Sequence, residues 1–380
     1  MLVGMLDPDR DGMEISAILT HPIASDAKHP AFTGIDSLAA RILLAEPSLL
    51  GQIEARRGQA GRLDEIMVRG RSIPVVWGDA NNLQDAPLPG APYDIALIAT
   101  SKSHINNPGL MNSFLTKARY VLGVAEALGL PALYPSLIGA EESLLPVRPR
   151  PIGDERVFAL GSCQSNGWQA LLRAVIDLAE RERLSACEML GMELDIVHPD
   201  TPTGRLGTRS LAAREQDPRD NLRPSFSQVE QTMSRLFPGR HGINTVSLRT
   251  LIQPPGYQIA RFFFRYEAPG GKRLGRSAIE ASLAATAREH PGILHVASLP
   301  LGSRGFSYCD SAAVLLPQEA FLRWQDDPFK LASPGILPVS ELILQAYVHN
   351  TRGYCRSVIQ ACRYLASSPQ PRSFPPGQAP

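Results

Sequence analysis

The residue with the most evident chemical potential is Cys163, in the turn Gly161-Ser162-Cys163-Gln164-Ser165-Asn166. A short apolar run at 157–160 enters this turn, and a helix predicted over about 165–183 leaves it, with Leu171, Leu172, Val175, Ile176 and Leu178 at helical spacing. Ser and Asn are capping residue types, so the open N–H groups of the first turn face back toward Cys163. A thiol placed there has its thiolate stabilised and serves as a nucleophile at neutral pH. A lone cysteine is more often a small buried apolar residue. The flanking residues here point to the nucleophile instead.

Four further stretches follow in the chain: Leu194-Asp-Ile-Val197-His198-Pro-Asp-Thr201, Asn221-Leu-Arg-Pro224-Ser225-Phe-Ser227, Val246-Ser-Leu-Arg249-Thr250 and Ala346-Tyr-Val-His-Asn350-Thr-Arg-Gly353-Tyr354. With the Cys163 segment they resemble, in the same order and over residues from about 12 to 366, five landmarks of the glyceraldehyde-3-phosphate dehydrogenase family. Ser162, Cys163 and Asn166 match the family's Ser-Cys-Thr-Thr-Asn, with Gln164 and Ser165 in place of the two threonines. The others resemble His-Ala-Tyr-Thr, Asn-Ile-Ile-Pro-Ser-Ser-Thr, Ala-Phe-Arg-Val-Pro and Trp-Tyr-Asp-Asn-Glu-Phe-Gly-Tyr.

The resemblance implies an aldehyde oxidation through a cysteine thioester. Cys163 would attack the carbonyl, and His198 would take the hydroxyl proton as hydride leaves to NAD or NADP. Phosphate would then cleave the thioester. Thr201 and Arg249 would bind the substrate's anionic group, and Ser162 and Ser227 the attacking phosphate. Taken alone, His198 reads as a strand-end histidine and Arg249 as half of a surface salt bridge. Gln228 replaces a family glycine beside Ser227. The loop at 202–219, with Arg205, Arg209, Arg214 and Arg219, resembles a family segment that crosses a subunit interface, and a solvated basic loop is its other reading. The remaining histidines form no ligand cluster, so no metal is expected.

The cofactor half departs further. A dinucleotide fold opens on a strand, a glycine-rich turn and a helix that carries the pyrophosphate, and none of these precedes Met13. Met13-Glu-Ile-Ser-Ala-Ile-Leu resembles the family's second strand. Either the annotated start lies inside a longer chain, or the first strand and glycine loop have been lost. Thr20 stands where the family has an aspartate for the ribose, which makes NADP tolerable, and Thr100 falls near its Ser-Thr-Gly. Asn350 and Tyr354 match the residues that hold and flank the nicotinamide.

Several elements must position these groups. Before Cys163, the strands at 13–19 and 95–99, the helix from 37 to 44, the hairpin at 66–73, the helix near 110–115 and the strand at 119–122 predict a mostly parallel, helix-covered sheet. After it, strands at 192–197, 243–252 and 257–266 and a helix at 277–288 predict an α+β domain. The last two strands, joined by Gln253-Pro-Pro-Gly, read as an antiparallel pair. The fold class expected is therefore α/β, an incomplete Rossmann-type parallel sheet followed by a catalytic domain with a mainly antiparallel sheet. The divisions are 1–161 for the NAD(P)-binding-like domain, 162–345 for the catalytic domain, 346–366 for a terminal helix returning to the first domain, and 367–380 for a disordered Pro, Ser and Gly-rich tail.

The 380 residues are 44% hydrophobic, enough for two cores. Lys plus Arg number 38 against 37 Asp plus Glu, so no global basic field calls for nucleic acid or membrane binding. No apolar run is long enough to span a bilayer, and the N-terminus is no secretory signal. Five cysteines without metal or disulfide spacing fit the cytoplasm. The resemblance also implies a homo-oligomer, a tetramer. Three functions stay open: a phosphorylating NAD(P)-dependent dehydrogenase of an anionic aldehyde, a non-redox cysteine acyl transferase, and a catalytically silent relative used for binding or assembly.

Overall fold

The computed structural model describes residues 1–23, 32–59, 62–79, 88–100, 102–127, 129–140, 155–199, 222–225, 227–239, 243–250, 252, 254–316, 322–328 and 337–368. The chain divides into two compact units. The first comprises Met1–Ala132, Ile152–Leu160 and Ile359–Pro380, and the second Leu133–Pro151 and Gly161–Val358.

The first unit opens with two short helices, α1 (Leu2–Met5) and α2 (Pro8–Asp11), before β1 (Ile18–Thr20). Of the expected strand at 13–19 only Ile18 and Leu19 are paired, together with Thr20 beyond it. Helix α3 (Gly34–Ala45) starts where the Thr33 N–H donates to Asp36, N-terminal to a face that buries Ile35 and Ile42. Then come β2 (Ile53–Arg56), β3 (Asp64–Val68) and β4 (Arg71–Trp77). The β3–β4 hairpin is as expected. Its two turn residues, Arg69 and Gly70, both have positive φ (50° and 76°), the primed-turn geometry that matches strand twist. Arg69 offsets the strain by donating to the carbonyls of Leu6 and Gly4, each at 3.0 Å.

These strands make one mixed sheet in the order β1-β4-β3-β2, with β1 parallel to β4. A second sheet is separate and wholly parallel: β5 (Tyr93–Ile98), β6 (Ala118–Gly123) and β7 (Val157–Ala159), covered by α4 (Lys102–Ile105) and α5 (Pro108–Leu115). Two sheets thus stand where one parallel sheet was expected. Among the described residues, strands β1 and β5 each have a single strand partner. The apolar run expected to be buried on both faces, within β5, is for the most part half-buried. An edge strand lacks the neighbour that would cover it, so its apolar character alone could not bury it.

The second unit begins its chemistry-bearing half with α6 (Cys163–Arg181), then β8 (Ser185–Pro199), β9 (Arg223–Ser225), α7 (Val229–Leu236), β10 (Ile243–Thr250), β11 (Gly256–Glu267) and α8 (Arg276–Glu289). It closes with β12 (Leu294–Val296), β13 (Ala313–Leu315), β14 (Leu322–Asp326), β15 (Ser340–Val348) and α9 (Arg352–Ser367). One eight-stranded sheet runs β12-β13-β15-β11-β8-β10-β9, with β14 also on β15.

The expected antiparallel pair of β10 and β11 does not form. Strand β8 lies between them, parallel to β10 and antiparallel to β11. Thr250 pairs with Pro199 and Tyr257 with Val197, so the Pro-Pro link crosses the end of β8 instead of making a tight turn. Two consecutive prolines remove the N–H groups that a hairpin ladder would use there. Met192, Leu194 and Ile196 of β8 face the core with Ala260, Phe262 and Phe264 of β11 and Leu342, Leu344 and Ala346 of β15.

Helix α6 is not amphipathic in its setting, since every residue from Gln164 to Ala179 is buried. It packs against the sheet, α7, α8 and the short 3-10 turn Pro135–Leu137. Its charged pair is satisfied internally: Arg173 donates to Asp177 at 2.6 Å and to the Ile138 carbonyl at 2.9 Å, and Thr286 of α8 donates to Asp177 at 2.8 Å. Helix α9 extends through Ser367, into the segment expected to be disordered, while 369–380 lie outside the described residues. From Ile359 it counts with the first unit, where Arg363 donates to the carbonyls of Asp11 (2.9 Å) and Arg10 (2.7 Å).

Candidate active site

Cys163 is the first residue of α6, and Ser162 is its N-cap, accepting the Ser165 N–H at 3.1 Å. Gly161 before it adopts φ 81°, a conformation that suits glycine, and the Tyr354 hydroxyl donates to its carbonyl at 2.6 Å. The turn that aims the thiol is therefore held from both sides, by its own cap and by α9. His198 and Arg249 are direct register partners on the parallel strands β8 and β10. By strand alternation both fall on the face of Ile196 and Ser247, which turns toward the helices.

One point ties the two halves together. A Cβ on Gly256, at the start of β11, would lie 2.7 Å from Pro199 Cδ, 2.8 Å from the Val197 carbonyl and 3.3 Å from Gln164 Nε2. Gln164 follows Cys163, and Val197 and Pro199 flank His198, so the missing side chain brings the helix mouth onto the end of β8. The buried amide of Gln258, the register partner of Ile196, completes the junction by donating to the Gln164 carbonyl (2.9 Å) and to its Oε1 (2.6 Å).

His198 Nδ1 lies 2.7 Å from the Pro199 carbonyl and 3.1 Å from Arg249 Nη1, which is itself 3.4 Å from the same carbonyl. The two Nδ1 contacts belong to different tautomers. With the proton on Nδ1 the imidazole donates to the Pro199 oxygen and Nε2 carries the lone pair, whereas with the proton on Nε2 the Arg249 N–H donates to Nδ1. Arg249 is buried, 8% exposed, so it does not lie at the surface. Ser227 sits in the turn before α7, where its hydroxyl accepts the Val229 N–H at 3.2 Å. Helix α7 returns to the active-site helix through Thr232, which donates to Ser165 Oγ at 2.9 Å.

The second unit thus holds Ser162, Cys163, His198, Ser227, Arg249, Asn350 and Tyr354. Asn350 is partly buried, and its Oδ1 is buried without a hydrogen-bond partner among the described residues. Thr20 ends β1 and Thr100 lies just beyond β5, bonded to His104 Nδ1 at 2.9 Å; both belong to the first unit. Thr201 and the arginine loop at 202–219 lie outside the described residues. Sequence reading did not single out Gly256, Gln258 or Thr232. Gln164 and Ser165 stood out only as departures from threonine.

The other four cysteines are all raised by burial, Cys187 and Cys362 up to about 12, Cys355 up to about 11, and Cys309 as well. Thiols held so far above neutrality stay protonated and unreactive. One group has metal-ligand types in reach of each other: the ligand atoms of Asp177, Glu289 and His290 lie within 4.8 Å. Arg173 and Arg181 already neutralise both carboxylates, with Arg181 paired to Glu289 and 3.6 Å from Asp177. The cluster is a salt-bridge network joining α6 to α8. Despite the cost of burial, the His290 ring 3.6 Å away, the Arg173 charge and the hydrogen bonds from Thr286 and Arg173 bring Asp177 down to about 2.

No family model matches the chain, and no curated protein sequence matches it. Among the described residues, no helix is long and apolar enough to cross a membrane.

Proposed function

We infer that the chain is a cysteine-dependent aldehyde dehydrogenase of the glyceraldehyde-3-phosphate dehydrogenase type, acting on an anionic aldehyde with NAD or NADP. The observation that carries this reading is the convergence at Gly256, which seats the mouth of a capped helix bearing Cys163 on the end of β8 bearing His198, whose register partner on β10 is Arg249. A thiolate there is favoured by the helix N-terminus. Its attack on an aldehyde carbon makes the C–S bond of a thiohemiacetal. His198 Nε2 takes the hydroxyl proton as hydride departs, leaving a thioester. The Cys163 N–H, at the helix mouth, steadies the oxyanion. Arg249 supplies a buried positive charge beside the base and suits a phosphate or carboxylate on the substrate. Ser162 and Ser227 meet the attacking phosphate, whose oxygen displaces the Cys163 sulfur from the acyl carbon and returns it as thiolate.

A nicotinamide fits the residues present in one respect. The orphaned Asn350 Oδ1 is an acceptor for a carboxamide N–H, with Tyr354 close in sequence. When bound, NAD(P) supplies hydride acceptance. The first unit's two sheets are read as the halves of a dinucleotide-binding sheet. In the order 3-2-1-4-5-6, the second and fourth strands flank the first, and β1 and β5 are each at an edge of their sheet among the described residues. The same open edges favour a second reading, a cysteine acyl transferase that keeps the thioester and dispenses with the dinucleotide. By the resemblance, the working form is a cytoplasmic homotetramer.

Limiting iodoacetamide at neutral pH, with adducts mapped by mass spectrometry, tests the nucleophile. Cys163 should be labelled first, and His198→Asn should slow its labelling. Preferential labelling of Cys187, Cys309, Cys355 or Cys362 would refute the assignment. Calorimetric titration with NAD and NADP separates the two readings: binding supports the dehydrogenase, and its absence with a reactive Cys163 supports the transferase.

A further inference from the structure

Three hydroxyls form a line from α7 to the active-site turn. Thr232 Oγ1 donates to Ser165 Oγ at 2.9 Å, and Ser165 Oγ lies 2.9 Å from Ser162 Oγ. Ser165 and Thr232 are fully buried, whereas Ser162 is partly exposed next to Cys163. The direction of the line follows from proton counting. Ser165 Oγ is closed off from bulk solvent and accepts from Thr232, so its own proton goes to its other hydroxyl neighbour, Ser162. Ser162 Oγ then accepts twice, from the Ser165 hydroxyl and from the Ser165 N–H. Both of its lone pairs are used, so its O–H is left as a donor only, beside the thiol.

We propose that Thr232 and Ser165 are positioning residues that fix Ser162 as a one-way hydrogen-bond donor toward the anion attacking the Cys163 thioester. This rests on the function proposed above. An unconstrained serine hydroxyl rotates and can accept as well as donate, and a lone pair turned toward phosphate repels it. Fixing the rotor removes that orientation and polarises the donor through a chain of like-directed bonds. The cap role of Ser162 and its donor role are thereby compatible, because the cap uses lone pairs and the anion uses the proton.

The test uses inorganic phosphate as probe on the full chain, measuring how far it protects Cys163 from iodoacetamide, with each variant normalised to its own rate without phosphate. Thr232→Val and Ser165→Ala should weaken protection by roughly three- to tenfold, the effect of one misdirected hydrogen bond to a charged partner. Thr232→Ser, which keeps the hydroxyl and loses a methyl group, should protect nearly as well as the parent. The proposal is overturned if Thr232→Val protects like the parent, if Thr232→Ser loses protection as fully as Thr232→Val, or if the parent shows no protection while Cys163 still reacts. An unreactive Cys163 in the parent would sink the proposed function itself, and this inference with it.

Discussion

The two units treat their backbone polar groups differently. In the second, eight strands close around β8, which is paired along both sides, and the candidate site grows from the ends of β8 and β10. In the first, seven strands are divided between sheets of four and three, and β1 and β5 each leave one side unpaired by any strand among those described. A central strand's position is set by two neighbours, and an edge strand's by one. The groups proposed for bond making, together with Asn350 and Tyr354, therefore stand on the closed unit, while Thr20 and Thr100 stand on the open one.

The largest effect expected from breaking this contrast is at the centre of the closed unit. Asp177→Ala strips the partner from buried Arg173 and should lower stability by about 3–5 kcal/mol in urea unfolding. Amide exchange in the β3–β4 hairpin of the first unit should be much less affected. A loss spread evenly over both units would erase the distinction. The same carboxylate sets a pH dependence. Its folded value of about 2 lies below the unfolded value, so its stabilisation is fully present above about pH 4 and is lost as pH falls toward 2. The shift corresponds to roughly 2 kcal/mol, and Asp177→Asn should flatten the acid limb of the stability curve.

Next in size is Gly256→Ala. The new methyl would meet backbone and proline atoms at 2.8 and 2.7 Å, neither of which is a flexible side-chain end. We expect a cost of about 1–3 kcal/mol together with slower alkylation of Cys163, as the helix mouth is pushed off the strand end. Lost stability with an unchanged alkylation rate would mean that Gly256 serves packing and not the site. The smallest effect belongs to the open unit. Arg69→Ala removes two bonds to the carbonyls of Leu6 and Gly4 and keeps a positive φ, costing about 1 kcal/mol or somewhat more. Cys163 reactivity should not respond to it; a marked change would show that the two regions are coupled.

What could be read in the sequence follows the same divide. Helices α6, α8 and α9 and strands β8 and β11 are long, strongly patterned segments, and their periods locate them to within a few residues except β8, which extends further at its start. The pairing of β10 was misread because the shortest link suggested a hairpin, and nothing local reveals that β8 slides between the two strands. The burial of α6 was also hidden. Arg173, Asp177 and Arg181 give the helix a polar face whose outside partners are the carbonyls at 136 and 138 for Arg173 and α8, about a hundred residues away in the chain, for the other two. In the site, Cys163, His198 and Arg249 were visible as residue types in order. Gly256 carries its role through an absent side chain, and Gln258 and Thr232 through contacts made only in three dimensions, so sequence pattern held no sign of them.

Helix α6 has one more consequence. With no face left to water from Gln164 to Ala179, it cannot settle as an early, independent element, because an isolated helix of this composition gains too little to persist. Its first turn is defined only when the sheet, α7 and α8 have closed around it. The electrophile sensitivity of Cys163 should therefore work as a built-in gauge of maturation, silent in partly assembled chains and appearing in step with the final cooperative packing of the unit. A nascent or damaged molecule would carry the thiol without its reactivity.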